Sequence, residues 1–230
     1  MNGEKQYQKC YVAFLDVLGF KEMIKTKSCA DVYEVFSKEF KQTVKQIYVD
    51  TTLAFDMSNI KMKVMSDSIC FFVDSSLKNS LFGLVGVIAN FQNELLCFEE
   101  PVLTRGAIVH GDIFSEGDII YGPAFVDAYL KEEKLAKYPR IILDEGLIEE
   151  SENNSDDNVY KALNQFSLFD FDGNFVVDYW QVFNEINKDK HLELLAYAEK
   201  VISENESESV VEKYKYLKSQ LLRRNRPGLK

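Results

Sequence analysis

The sequence predicts an α+β sandwich built on a ferredoxin-like core, on the strength of three observations. A continuous apolar run, Tyr11–Leu15, reads as a strand buried on both faces. Two long stretches carry helical periodicity: Ala30–Ile47, through Val32, Val35, Phe36, Phe40, Val44 and Ile47, and Leu81–Phe98, which Pro101 closes. Between them, the short apolar segments Ile60–Met65 and Ile69–Val73 flank Ser66-Asp67-Ser68, the pattern of a β-hairpin. Val102–Val109 is the next strand, and Asp112–Tyr121 carries turn signals followed by Ile119-Ile120. Gly122-Pro123 opens a third helix, with proline in the first turn where its missing N–H costs little. Pro139–Leu143 completes the order β-α-β-β-α-β-β-α-β.

The remainder changes character. Residues 149–158 are polar and acidic and read as an exposed loop. Over 159–230 the sequence predicts a hairpin, Phe166–Trp180 with Asp172-Gly173 as its turn, and two amphipathic helices, Lys188–Ser203 and Ser207–Arg224, packed on the same domain.

Composition narrows the function classes. The 230 residues include 27 Lys+Arg and 37 Asp+Glu, a net charge of −10, which argues against a nucleic-acid binder with a broad basic surface. The longest uncharged apolar stretch, Leu81–Phe91, is too short to cross a bilayer. The N-terminal residues carry charge but no apolar stretch of the secretory kind, so a cytoplasmic protein is expected. Four scattered cysteines and two histidines leave no zinc or disulfide framework.

Asp16 ends the first strand and Asp67 sits at the tip of the hairpin. In a ferredoxin-like sheet the hairpin flanks the first strand, so both carboxylates converge at one end. Two such carboxylates repel unless a cation lies between them, and hard ions such as Mg²⁺ or Mn²⁺ suit oxygen-only ligands. The Leu18-Gly19-Phe20 turn offers backbone N–H groups where a helix begins, as a triphosphate cradle would. The plain alternative stays open: Asp16 as a helix cap and Asp67 as a turn residue.

Three ordered motifs carry a family resemblance. FLDVLGF at Phe14–Phe20 resembles the F-x-D-I-x-G-F segment of class III nucleotidyl cyclases. KVMSDSICFFV at Lys63–Val73 resembles that family's strand–Gly-Asp–strand hairpin, with serine in place of glycine. TRGAIVHGDI at Thr104–Ile113 is similar to its R-x-G-I-H-x-G strand. A closer likeness is to the bacterial pyrimidine cyclases of Pycsar antiphage systems, through YGPAFVDAYLKEE at Tyr121–Glu133 and YPRIIL at Tyr138–Leu143.

The resemblance implies a cyclase catalytic domain over residues 1–148 and a metal pair of Asp16 and Asp67, with the Val17 carbonyl as an extra ligand. Mn²⁺ or Mg²⁺ would serve as cofactor, and the product would be a 3′,5′-cyclic nucleotide. Phe14, Leu18, Gly19 and Phe20 would line the nucleotide. Lys63 and Asp118 match the base-reading lysine and acid of the purine cyclases, a point for adenine. The transition-state asparagine and arginine of that family correspond here to Val126 and Leu130, which do neither job. The lysine that grips the terminal phosphate in those enzymes has no clear counterpart. Arg105, Lys131, Lys134 or Arg140 would have to substitute, or the site is degenerate; the pyrimidine cyclases share the altered helix. Cyclases of this class build their sites between two domains, so the resemblance implies a homodimer with composite sites. The favoured product is cyclic UMP, an antiphage alarm signal that reaches its effector only through the nucleotide. Cyclic CMP and purine products are the enzymatic alternatives, and a nucleotide-binding module without turnover is the alternative of another class.

Other features read more plainly. His110 is expected to be structural or pocket-lining, and Cys70 and Cys97 to be core. Asp170-x-Asp172-Gly173-Asn174 is a hairpin turn without the later ligands of a calcium loop. The aromatic cluster from Phe166 to Trp180 packs on the sheet or a second subunit, and the basic C-terminal tail is a solvated helix end.

Overall fold

Strand β1 (Gln8–Val17) is central because its sequence is apolar on both faces: Cys10 to Leu15 are all buried. Its antiparallel neighbours are β3 (Ser68–Asp74) and β4 (Thr104–Glu116), and β2 (Lys61–Met65) pairs with the far side of β3. This β2-β3-β1-β4 order is the predicted ferredoxin-like arrangement. The structure is a computed structural model that describes residues 5–36, 55–147, 149, 164, 166–180 and 190–224. The later part of the first periodic stretch (Phe40, Val44, Ile47), nearly all of the acidic loop and the end of the basic tail lie outside the described residues.

Strand β4 is longer than the sequence predicts. Gly111 and Asp112 stay in the ladder, opposite Cys10 and Lys9, and the chain turns only after Glu116 to form β5 (Ile119–Tyr121). The turn comes at Gly117, whose φ of 57° is left-handed. Beyond β4 the sheet continues with β6 (Ile141–Leu143) in parallel, then β8 (Phe175–Val177) and β7 (Ser167–Phe169), both antiparallel. The C-terminal hairpin therefore extends the same sheet. Its turn is the predicted one, with the Gly173 N–H donating to the Asp170 carbonyl at 3.1 Å.

Side-chain alternation along β1 sorts the two layers. Tyr11, Ala13, Leu15 and Val17 face the main core with α2 (Ser80–Leu96), which is buried over most of its surface. Leu194 and Ala198 of α4 (Lys190–Glu204) and Leu217 and Leu221 of α5 (Glu208–Arg224) join that core. Cys10, Val12 and Phe14 face the other way, under Ala124 and Ala128 of α3 (Pro123–Leu135). The short α1 (Phe20–Thr26) follows β1 through Gly19, whose φ of 78° makes the turn. Gly106 lets β4 lie flat on β1: a Cβ there would stand 2.4 Å from the Phe14 carbonyl oxygen. No helix among the described residues is long and apolar enough to cross a membrane.

Candidate active site

The alternation that buries Phe14 also sends Asp16, two residues on, to the α3 side at the end of β1. There it is the cross-strand partner of Arg105, whose Nε donates to Asp16 Oδ2 at 3.0 Å. Asp67 lies in the β2–β3 turn, and its carbonyl accepts the Val17 N–H at 2.8 Å. The backbones of the two aspartates thus lie at the same end of the neighbouring strands β1 and β3. Ser66, where the resembling hairpin has glycine, takes a φ of 61°, the left-handed region that favours glycine.

A third carboxylate enters from above. Ala124, Ala128 and Glu132 form the buried stripe of α3 at four-residue spacing. The alanines keep the helix close to the sheet: a Cβ on Gly111 of β4 would come within 3.2 Å of the Ala124 Cβ. Glu132 Oε1 consequently lies 2.7 Å from Arg105 Nε, and its side chain is only 4% exposed. That oxygen has no hydrogen-bond partner, because the single Nε–H points at Asp16. Burial pushes the Glu132 carboxyl up to about 7; Arg105 opposes the shift and the Asp16 charge adds to it. Sequence reasoning missed Glu132, although a carboxylate in register with two buried alanines was a readable signal.

The other candidates divide. Lys63 Nζ donates to the Gly117 carbonyl at the β4–β5 turn, next in sequence to the exposed Asp118. Gly19 and Phe20 open α1, where Gly19 accepts the Glu22 and Met23 N–H groups and Phe20 meets the Phe36 ring at 5.8 Å. The Leu18 N–H donates to the Leu103 carbonyl at 2.8 Å, which removes that donor from the expected cradle. Phe14 corrects the expected nucleotide contact: it is buried under α3, edge-on to Phe125 and Tyr129 at 5.6 Å from each. Lys131 pairs with Asp144, and Lys134 is exposed on α3.

Arg140 is a second correction. It is 2% exposed, and its guanidinium is bound by Asp170 at 2.6 Å, by Asp172 at 2.6 Å and by the Leu135 carbonyl at 3.0 Å. A guanidinium closed off in this way serves the fold and does not reach phosphate. His110 packs against its cross-strand partner Tyr11, with the rings tilted at 35° and their centroids 4.7 Å apart. It stands roughly 16 Å along β4 from Arg105, too far to act at Asp16.

Among the described residues, no group of three or more His, Cys, Asp or Glu side chains gathers to hold a metal ion. The donors that Asp16, Asp67 and the Val17 carbonyl provide are all oxygen. Such a set fits Mg²⁺ or Mn²⁺, ions held by one or two carboxylates and completed by substrate phosphates and water. Asp16 is paired with Arg105 at 3.0 Å.

No family model matches the sequence, and no curated protein does. Solved structures match the fold. The catalytic core of a rhodopsin-guanylyl cyclase with converted specificity, in complex with ATPalphaS, is similar over 75% of this chain and 97% of that one, with 14% identity and a TM-score of 0.52. The adenylyl cyclase CyaB from P. aeruginosa matches 72% of this chain and 85% of its own at 13% identity, with a TM-score of 0.44. The adenylate/guanylate cyclase/hydrolase from Silicibacter pomeroyi matches 65% and 83% at 15% identity, with a TM-score of 0.46. On the first of these likenesses, the chain has the fold of a class III nucleotidyl cyclase catalytic domain.

Proposed function

We propose that this chain is a nucleotidyl cyclase that converts UTP to 3′,5′-cyclic UMP and diphosphate, as a second messenger of antiphage defence that activates a separate effector. The observation that carries the reading is the placement of Asp16 and Asp67 at the same end of neighbouring strands, at the end of β1 and in the β2–β3 turn. Divalent cations held there, Mn²⁺ or Mg²⁺, would activate the ribose 3′-hydroxyl and neutralise the triphosphate. The chain's own part is positioning: Asp16, Asp67 and the Val17 carbonyl supply oxygen ligands, and Arg105 places a positive charge 3.0 Å from Asp16. Lys131 and Lys134 on α3 are the remaining cations for phosphate.

The pyrimidine assignment rests on the likeness of Tyr121–Glu133 to the helix of pyrimidine cyclases, in which Val126 and Leu130 take the transition-state positions. A homodimer with composite sites fits the exposed apolar side chains Ile119, Tyr121, Val126 and Tyr129 on β5 and α3, a surface for a second copy to cover. One observation favours a purine product instead: Lys63 donates to the Gly117 carbonyl at the β4–β5 turn, next in sequence to Asp118. Cyclic CMP is separated from cyclic UMP only by experiment.

The test is incubation of the purified protein with ATP, GTP, CTP and UTP separately, each with Mn²⁺, and identification of products by mass spectrometry. Cyclic UMP is expected; cyclic AMP would make Lys63 and Asp118 the base-reading pair. Asp16→Ala and Asp67→Ala are each expected to abolish product in a protein that still folds and dimerises. Normal activity in either variant overturns the two-metal assignment, and no product from any nucleotide favours a binding module without turnover.

A further inference from the structure

We propose that Arg105 is a built-in cation that holds Asp16 while the metal is away, and that Glu132 is the buried seat that takes Arg105 when metal arrives. The inference rests on the reading of Asp16 as a metal ligand and adds a device that governs access to it.

The argument begins with one nitrogen between two carboxylates. Arg105 Nε is 3.0 Å from Asp16 Oδ2, with hydrogen-bond geometry, and 2.7 Å from Glu132 Oε1, without it. A buried carboxylate oxygen in contact with a guanidinium yet lacking a hydrogen bond is an acceptor in waiting. The exposures differ in the way a switch needs. Asp16 and Arg105 are 20% and 28% exposed, so ions from solution reach them, whereas Glu132 is 4% exposed and out of their reach.

A divalent cation on Asp16 and a guanidinium on the same carboxylate repel each other. Arg105 then has one carboxylate already at contact distance to turn to. It needs no new desolvation to do so, because it already lies against Glu132. The guanidinium carries five N–H donors, so turning Nε–H away from Asp16 gives Glu132 its hydrogen bond and leaves other donors facing the site. Glu132 is therefore a positioning residue that acts through Arg105. The pair also accounts for a carboxylate in the alanine stripe of α3, where an apolar residue would pack at no electrostatic cost.

The test uses Mn²⁺ alone, without nucleotide, titrated by calorimetry into the 230-residue protein and four variants, with thermal melts as a folding control. Asp16→Asn is the reference and is expected to lose the Mn²⁺ signal. Arg105→Gln removes the competitor and is expected to bind Mn²⁺ about tenfold tighter than the unmodified protein. Glu132→Gln removes the seat and is expected to bind severalfold more weakly. In the double variant the Glu132→Gln effect should vanish, leaving the tightened affinity of Arg105→Gln.

An Arg105→Gln protein that binds Mn²⁺ no tighter overturns the proposal. So does a Glu132→Gln loss of equal size in both backgrounds, which would make Glu132 a ligand or a distant charge. If Arg105→Gln fails to fold, the double variant decides: it removes one charge of each sign, so tighter binding supports the exchange and unchanged binding overturns it. Asp16→Asn binding Mn²⁺ normally would instead overturn the metal assignment itself, and the inference with it.

Discussion

Arg140 and Asp170 form an ion pair sealed from solvent, Nη1 to Oδ2 at 2.6 Å with side chains 2% and 0% exposed. Three parts of the chain meet on it. Tyr216 of α5 donates its hydroxyl to the same Asp170 oxygen at 2.8 Å, Asp172 of the hairpin turn binds the guanidinium, and Arg140 Nη2 donates to the Leu135 carbonyl at the end of α3. The C-terminal extension is thereby tied to the helix that carries Glu132 over Asp16. Its effect on the site is mechanical: the pair anchors the last turn of α3.

Removing one partner of such a pair leaves the other buried and uncompensated, which costs about 3–5 kcal/mol. Arg140→Met should therefore lower unfolding free energy by about that amount in urea titrations. A loss under about 1 kcal/mol would place the pair among surface ion pairs in energetic weight and remove its role as an anchor.

Ser66 offers the opposite sign. Its φ of 61° puts a Cβ in the left-handed region, at a cost of about 1–2 kcal/mol relative to glycine. Glycine loses more freedom on folding, which offsets about half of that gain. Ser66→Gly should raise stability by about 0.5–1 kcal/mol, read as a higher thermal midpoint. A lower midpoint would mean that the serine side chain makes up for the strain.

The sheet order and the backbone positions of Asp16 and Asp67 were legible because they follow from local pattern: an apolar run ending in Asp16, and a hairpin with Asp67 at its tip. The full length of β4 was not. Gly111-Asp112 has the composition of a turn, and only the register against Cys10 and Lys9 keeps it extended. The role of Arg140 is not legible for a related reason. Its acidic partners lie 30 and 32 residues further on, a distance no periodicity spans. Glu132 lies on the same helix as Val126 and Leu130, the two positions that the family likeness picks out. Val126 is half exposed, whereas Glu132 shares the buried stripe of α3 with Ala124 and Ala128.

Glu132 also sets a pH dependence of stability in the metal-free protein. Burial raises its carboxyl to about 7 in the folded chain, from an ordinary value of 4.5. Between those two values the folded state keeps a proton that the unfolded state has released, so this group's contribution to stability falls as pH rises. The contribution is fully present below pH 4.5, declines up to about pH 7 and is level above it. Glu132→Gln holds the protonated shape at every pH and does not titrate. Its stability relative to the unmodified protein should therefore rise by about 2 kcal/mol across that window, with allowance for screening through the open Asp16 side. Urea titrations of both proteins at four pH values spanning the window would measure the difference. A difference that does not change with pH would mean that Glu132 titrates in the folded chain as in the unfolded one, with Arg105 offsetting the cost of its burial.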